Sequence, residues 1–188
     1  MEDKKMNKKI RWITQTAIML ALLVTLQALT KGFGQLVTGS CVNAVLAVSA
    51  LVGGLANGLT VALISPVLAF LLGIAPQILT VPAIMAGNCV YVVSLYLAAD
   101  KSGKNLLRQA GAWVLSAAAK ATVLYLLVAK LICGVLAEGL LAAGTLKEPM
   151  LKALPATFSW PQLFTALVGG AVALLIVPVL RKALHKQA

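Results

Sequence analysis

Lys120 and a set of carboxamides are the side chains best suited to do chemistry in this chain. Lys120 is the lone charge between Trp113 and Leu127, while Gln27, Asn43, Gln77, Asn88 and Gln162 interrupt other apolar runs. An ammonium and several amides can hold a polar ligand through charge and hydrogen bonds. A membrane-embedded enzyme would need a nucleophile or metal ligands facing one cavity, and the chain has little of either to offer. The single histidine, His185, sits in a Lys-rich terminal segment, and of the five acids only Glu138 approaches an apolar run. Cys41, Cys89 and Cys133 form no C-x-x-C pair and have no nearby histidine, so they read as small packing residues and no metal site is expected. The absence of a G-x-x-x-x-G-K-[ST] phosphate loop leaves no nucleotide or other cofactor expected on this chain.

The elements that must position these groups are membrane helices. From Gly32 to Ala99 the chain runs 68 residues without Asp, Glu, Lys, Arg or His. As α-helix this stretch would extend about 100 Å, enough for three crossings of a hydrocarbon layer about 30 Å thick. With 61% hydrophobic and 11% charged residues, the 188-residue chain is far from the composition of a water-soluble domain. The net charge of +11 would suggest nucleic acid in a soluble protein, but the basic residues cluster at the ends of apolar runs, so the expected partner is the lipid bilayer.

The pattern predicts an all-α integral membrane fold, a compact bundle of six transmembrane helices in a single domain over 1–188. Helices are expected near 11–30, 41–56, 58–73, 77–99, 106–133 and 160–182, with the second and third divided by Gly53-Gly54 and Asn57-Gly58. Lys4, Lys5, Lys8, Lys9 and Arg11 ahead of an apolar run resemble a secretory signal. The run Trp12–Thr30 is long for one and no A-x-A site follows, so it is read as the first span.

Six spans place both termini on one side. Lys4, Lys5, Lys8, Lys9, Arg11, then Lys101, Lys104, Arg108, then Arg181, Lys182, Lys186 make up 11 of the 16 Lys and Arg, and they share a face only if the number of crossings is even. The positive-inside rule makes that face cytoplasmic. The outer loops, near 31–40, 74–76 and 134–159, then hold only Lys31, Lys147 and Lys152.

In this orientation Gln27 ends the first span, Asn43 begins the second, Gln77 begins the fourth, and Trp160 with Gln162 begins the sixth, all in the outer leaflet. Lys120 lies about 21 Å along a helix entering from the cytoplasm at Leu106, and Asn88 about 17 Å below Gln77. The polar groups crowd outward, as an outward-opening pocket requires. An ammonium facing lipid costs roughly 2.5–3.5 kcal/mol even on the lenient insertion scale, so Lys120 is expected to face inward as a counter-charge or donor for a ligand. The plain alternative is a lysine that snorkels or bonds a neighbouring carbonyl. Trp113, Ser116, Ala117 and Lys120 share a helical face, so Trp113 either lines the same cavity or packs. Asn88 either binds ligand or hydrogen-bonds across to another helix, and Lys130 is expected to snorkel.

Ala17 and Ala21 stack two small residues on the first helix and permit close approach of another helix, inside this chain or from a partner. Gln27 lies about 100° around the helix from that stripe, so one face can meet a partner while another borders the pocket. Gly169-Gly170 with Ala166 and Ala173 offer a second close-packing surface, and Pro66, Pro82 and Pro178 fall inside spans, where they are expected to kink them.

About 190 residues, six helices, an A-x-x-x-A pair at Ala17/Ala21, and the segments Gly34-Gln35-Leu-Val-Thr-Gly39 and Ile84-Met-Ala-Gly-Asn88 together resemble the substrate-binding S components of energy-coupling factor (ECF) transporters, bacterial importers of vitamins and related micronutrients. The resemblance implies a non-catalytic subunit of the bacterial cytoplasmic membrane, with both termini cytoplasmic. It implies capture of a vitamin-like molecule under the loops after helices one, three and five, with Gln35 added to the polar set. It further implies docking through Ala17 and Ala21 on a transmembrane scaffold subunit that carries a pair of ATPases, followed by toppling to deliver the substrate inward. A second small pair on the third helix is nearest matched by Ser65 and Ala69. The competing readings are a stand-alone small-solute transporter or channel-like protein and, with few groups to support it, a membrane-embedded enzyme. Lys120, with Lys31 in the first outer loop, favours a ligand bearing a carboxylate or phosphate.

Overall fold

The computed structural model describes residues 2–74, 77–100 and 105–185, with side chains described over 8–74, 77–100 and 105–184. The described chain is all helical: α1 (Glu2–Thr30), α2 (Gln35–Gly53), α3 (Leu55–Leu71), α4 (Val81–Ala98), α5 (Leu106–Leu124, continuing as a π-helix over Tyr125–Val135), α6 (Ala137–Ala142), α7 (Glu148–Thr157) and α8 (Trp160–His185). Five helical segments are long and apolar enough to cross a membrane, and α3, with 17 residues, is a shorter apolar helix beside them. Lys101, Lys104 and Lys186, which the sequence places with the basic clusters, lie outside the described residues, as do the side chains of Lys4 and Lys5.

Local chemistry sets the boundaries, and in three places they differ from expectation. The second helix starts at Gln35 rather than near 41, because Gly34, at φ +87°, turns the chain sharply after the short 3₁₀ turn Lys31–Phe33. The break before α3 falls at Gly54 alone (φ +90°), so Asn57-Gly58 lies inside a helix instead of forming a turn. Residues 134–159, expected as a loop, contain α6 and α7. Pro82 also does not kink its helix, since it occupies the first turn of α4, where no backbone hydrogen bond is lost.

The core sits around α2, which packs against α1, α3, α4 and α8. In lipid the hydrophobic effect does not drive helices together, so close fit and hydrogen bonds must. Ala47, Ala50, Ala62, Ala166 and Ala173 are at most 1% exposed, and a side chain added at Gly58 would collide with Ala50. A smaller apolar cluster, including Leu124, Val128, Leu154 and Phe158, joins α7 to the end of α5. The basic ends lie together: the Arg181 guanidinium donates to Leu51 O (2.9 Å), and Arg108 Nε to Ala98 O (3.2 Å). At the opposite end Lys31 Nζ donates to Gly73 O (2.5 Å), tying the α1–α2 and α3–α4 connections together.

Candidate ligand-binding site

A cavity of about 290 Å³ opens among α1, α2, α4, α5, α7 and α8, at the end of the bundle away from Arg181 and Arg108. Seven of the eight polar residues singled out in the sequence line it: Gln27, Gln35, Asn43, Gln77, Asn88, Lys120 and Gln162. The eighth, Trp160, does not. It is 66% exposed at the start of α8, edge-on to Phe164 with ring centroids 6.5 Å apart, as an aromatic at a membrane–water interface often is.

Lys120 forms the floor. It is 3% exposed, and its Nζ donates to Asn43 Oδ1 (2.5 Å) and Asn88 Oδ1 (2.7 Å) and lies 5.6 Å from the centroid of the Tyr91 ring. Asn43 is held for this task, since its Nδ2 donates to Gly39 O (2.9 Å) and Thr165 Oγ1 (3.3 Å). Two glycines let the helices come close enough. A Cβ at Gly169 on α8 would strike Ser40 O and the Asn43 side chain on α2, and one at Gly87 would strike Leu124 on α5. The floor thus depends on two missing side chains: Gly169 lets α8 lie against the α2 backbone, and Gly87 makes room on α4 for Leu124 of α5.

The walls carry unspent hydrogen-bonding capacity. Gln27 Oε1, Gln77 Oε1 and Asn88 Nδ2 are buried without a partner, and all three residues line this cavity. Leaving a buried polar group unsatisfied costs about 1–3 kcal/mol, so three such groups around one hollow favour a polar occupant. Gln162 is partly committed, its Nε2 donating to Thr157 O (3.2 Å) to fix the α7–α8 turn, and Gln35 sits exposed at the rim. Among the described residues no three His, Cys, Asp or Glu come together as a metal site. Amides, an ammonium and apolar walls can bind and orient a ligand through charge and hydrogen bonds.

Other expectations resolve differently. Trp113 packs over Gly170 and donates from Nε1 to Leu167 O (2.9 Å), so it braces α5 on α8 and does not line the cavity. Lys31 is turned to Gly73 rather than toward Lys120. Lys130 is exposed, 5.7 Å from the Tyr125 ring centroid. Ala17 and Ala21 are exposed on α1, whereas Ser65 and Ala69 are buried at 2% and 3%, so α3 does not offer that small pair to another chain.

The loop after the fifth span, expected to cover the ligand, does so as a helix that the sequence reading did not foresee. Ala153, Leu154, Thr157 and Phe158, at the end of α7, close over the cavity. Two signals could have found it: Glu148-Pro149, an acid and a proline in a first helical turn, and Leu151, Leu154 and Phe158 spaced along one helical face.

A family model described as ECF transporter, substrate-specific component, matches residues 11–181. No curated protein and no solved structure matches the chain at a significant level.

Proposed function

The chain belongs to the substrate-specific components of ECF transporters, and from that premise we propose that its cavity takes a vitamin-like molecule from outside a bacterial cytoplasmic membrane and releases it inward. Members of this family are substrate-binding transport subunits, not catalysts. They associate with ECF scaffold and ATPase subunits. The proposal for this chain is more specific: the scaffold docks on Ala17 and Ala21, the cavity end faces outward, and the termini and basic clusters are cytoplasmic.

The observation that carries this reading is the convergence of Lys120, Asn43 and Asn88 under a roofed hollow with no carboxylate among its lining residues. A lysine kept only for packing would carry its insertion cost for nothing. A lysine facing a binding site recovers that cost from an electron-rich ligand. The separation of duties on α1 supports the docking half: Gln27 turns to the cavity while Ala17 and Ala21 lie exposed.

The test separates the two duties. Ala17→Trp and Ala21→Trp put a large ring on the exposed face without touching the cavity. Uptake by cells carrying the scaffold and ATPases should fall to background, while ligand binding by the purified subunit stays within about twofold of wild type. Normal uptake by both variants would refute docking through this face and favour a stand-alone carrier.

A further inference from the structure

We infer that the molecule held here is a small organic acid with a neutral hydrogen-bond donor at its other end, the anionic oxygens resting on Lys120 and Asn88 and the N–H or O–H reaching Gln27 and Gln77. This deepens the reading of the cavity as the substrate site and rests on it.

The two ends of the hollow differ in charge: the floor carries the Lys120 ammonium, the rim the neutral carboxamides of Gln27 and Gln77. At the floor the free valences are donors. Asn88 turns its Oδ1 to Lys120, which leaves its Nδ2 unpartnered on the same carboxamide, and Asn43 has both of its amide atoms engaged. An ammonium carries three N–H groups, and two amide oxygens occupy two of them. A spare N⁺–H beside a spare amide N–H is the arrangement that the two oxygens of a carboxylate accept together. The ligand also supplies the negative charge that no lining residue provides.

At the rim the free valences are those of neutral carboxamides. Gln27 Oε1 and Gln77 Oε1 are buried and unpartnered, so an N–H or O–H of the ligand would satisfy them, while the N–H groups of the same carboxamides remain to meet an acceptor. Between the two ends the walls are Val42, Ile84, Leu124, Leu154 and Phe158, which suit an apolar or ring-bearing middle. The ends are separated by two turns of α4, since Asn88 lies seven residues beyond Val81, about 10 Å along the axis. The volume, about 290 Å³, lies at the low end of ligand pockets, which run to about 1,000 Å³. A cationic group would share the hollow with the Lys120 ammonium and no lining carboxylate.

The protein, purified in lipid nanodiscs after expression in rich medium, would be denatured, the released molecule identified by mass spectrometry, and its binding measured as the free acid and as its methyl ester. We expect a released acid, bound about 100-fold more tightly than the ester by wild type. Lys120→Met keeps length and apolar bulk; it should bind acid and ester equally weakly. Gln77→Leu should weaken both about tenfold and preserve the preference for acid. Should Lys120→Met not fold, Lys120→Gln serves the same comparison. A released molecule without an anionic group, equal binding of acid and ester by wild type, or an acid preference that survives in the Lys120 variants would each overturn the assignment. A neutral molecule whose uptake still fails in the Ala17 and Ala21 variants would sink the acid and leave the transport reading standing. Uptake indifferent to those variants would sink the docking reading independently of the ligand's chemistry.

Discussion

The two ends of this bundle use the same residue types to different ends. At the basic end Asn57, 0% exposed, donates from Nδ2 to Thr16 Oγ1 (3.0 Å), which itself donates to Trp12 O (2.8 Å), and Arg181 reaches across to Leu51 O. Each bond there joins one helix to itself or to its neighbour. At the cavity end Asn88, 1% exposed, is just as deeply buried. Each of the two amides spends one atom and leaves the other unpartnered, Asn57 its Oδ1 and Asn88 its Nδ2, but only Asn88 lines the hollow with Lys120, Gln27 and Gln77. Burial alone therefore does not tell a packing amide from a binding one. What separates them is whether the unspent valence opens on a space lined by other unspent valences.

One substitution applied at both ends makes the contrast measurable. Asn88→Ala strips Lys120 of one acceptor and the ligand of one donor, so binding should weaken about 100-fold in a titration of the purified subunit. Wild-type affinity would reduce Asn88 to a packing residue like its counterpart. Gly169→Ala tests the closeness that builds the floor. Its methyl would meet the α2 backbone beside Asn43. Overpacking of this kind costs about 1–3 kcal/mol, read as a lower Tm in detergent together with weaker binding. An unchanged Tm would mean that α2 and α8 have slack there. The smallest effect is expected from Asn57→Ala, which removes one hydrogen bond of about 1 kcal/mol and should leave ligand affinity untouched. A loss of affinity there would show the two ends to be coupled.

The depth of a polar residue in the membrane was legible in the chain because hydropathy and helical rise suffice to compute it. That is why Lys120, Asn43, Asn88, Gln27 and Gln77 were identified without coordinates and why they converge. Trp160 differs for the same reason: depth says nothing about direction, and its ring lies outside this cavity, edge-on to Phe164. The roof helix was illegible to a search for long apolar spans, since α7 has only 10 residues and two prolines.

By itself the sequence determined that this is a multi-pass helical membrane protein and that its buried polar groups favour one end, because both follow from composition and one-dimensional spacing. Only the tertiary structure decided which amide atoms are spent and which are free. It also decided that α3 keeps Ser65 and Ala69 inside while α1 leaves Ala17 and Ala21 exposed, and that a short amphipathic helix covers the hollow. Those outcomes depend on how each helix is rotated against its neighbours, and that rotation is set by side chains and glycines meeting across interfaces between distant parts of the chain.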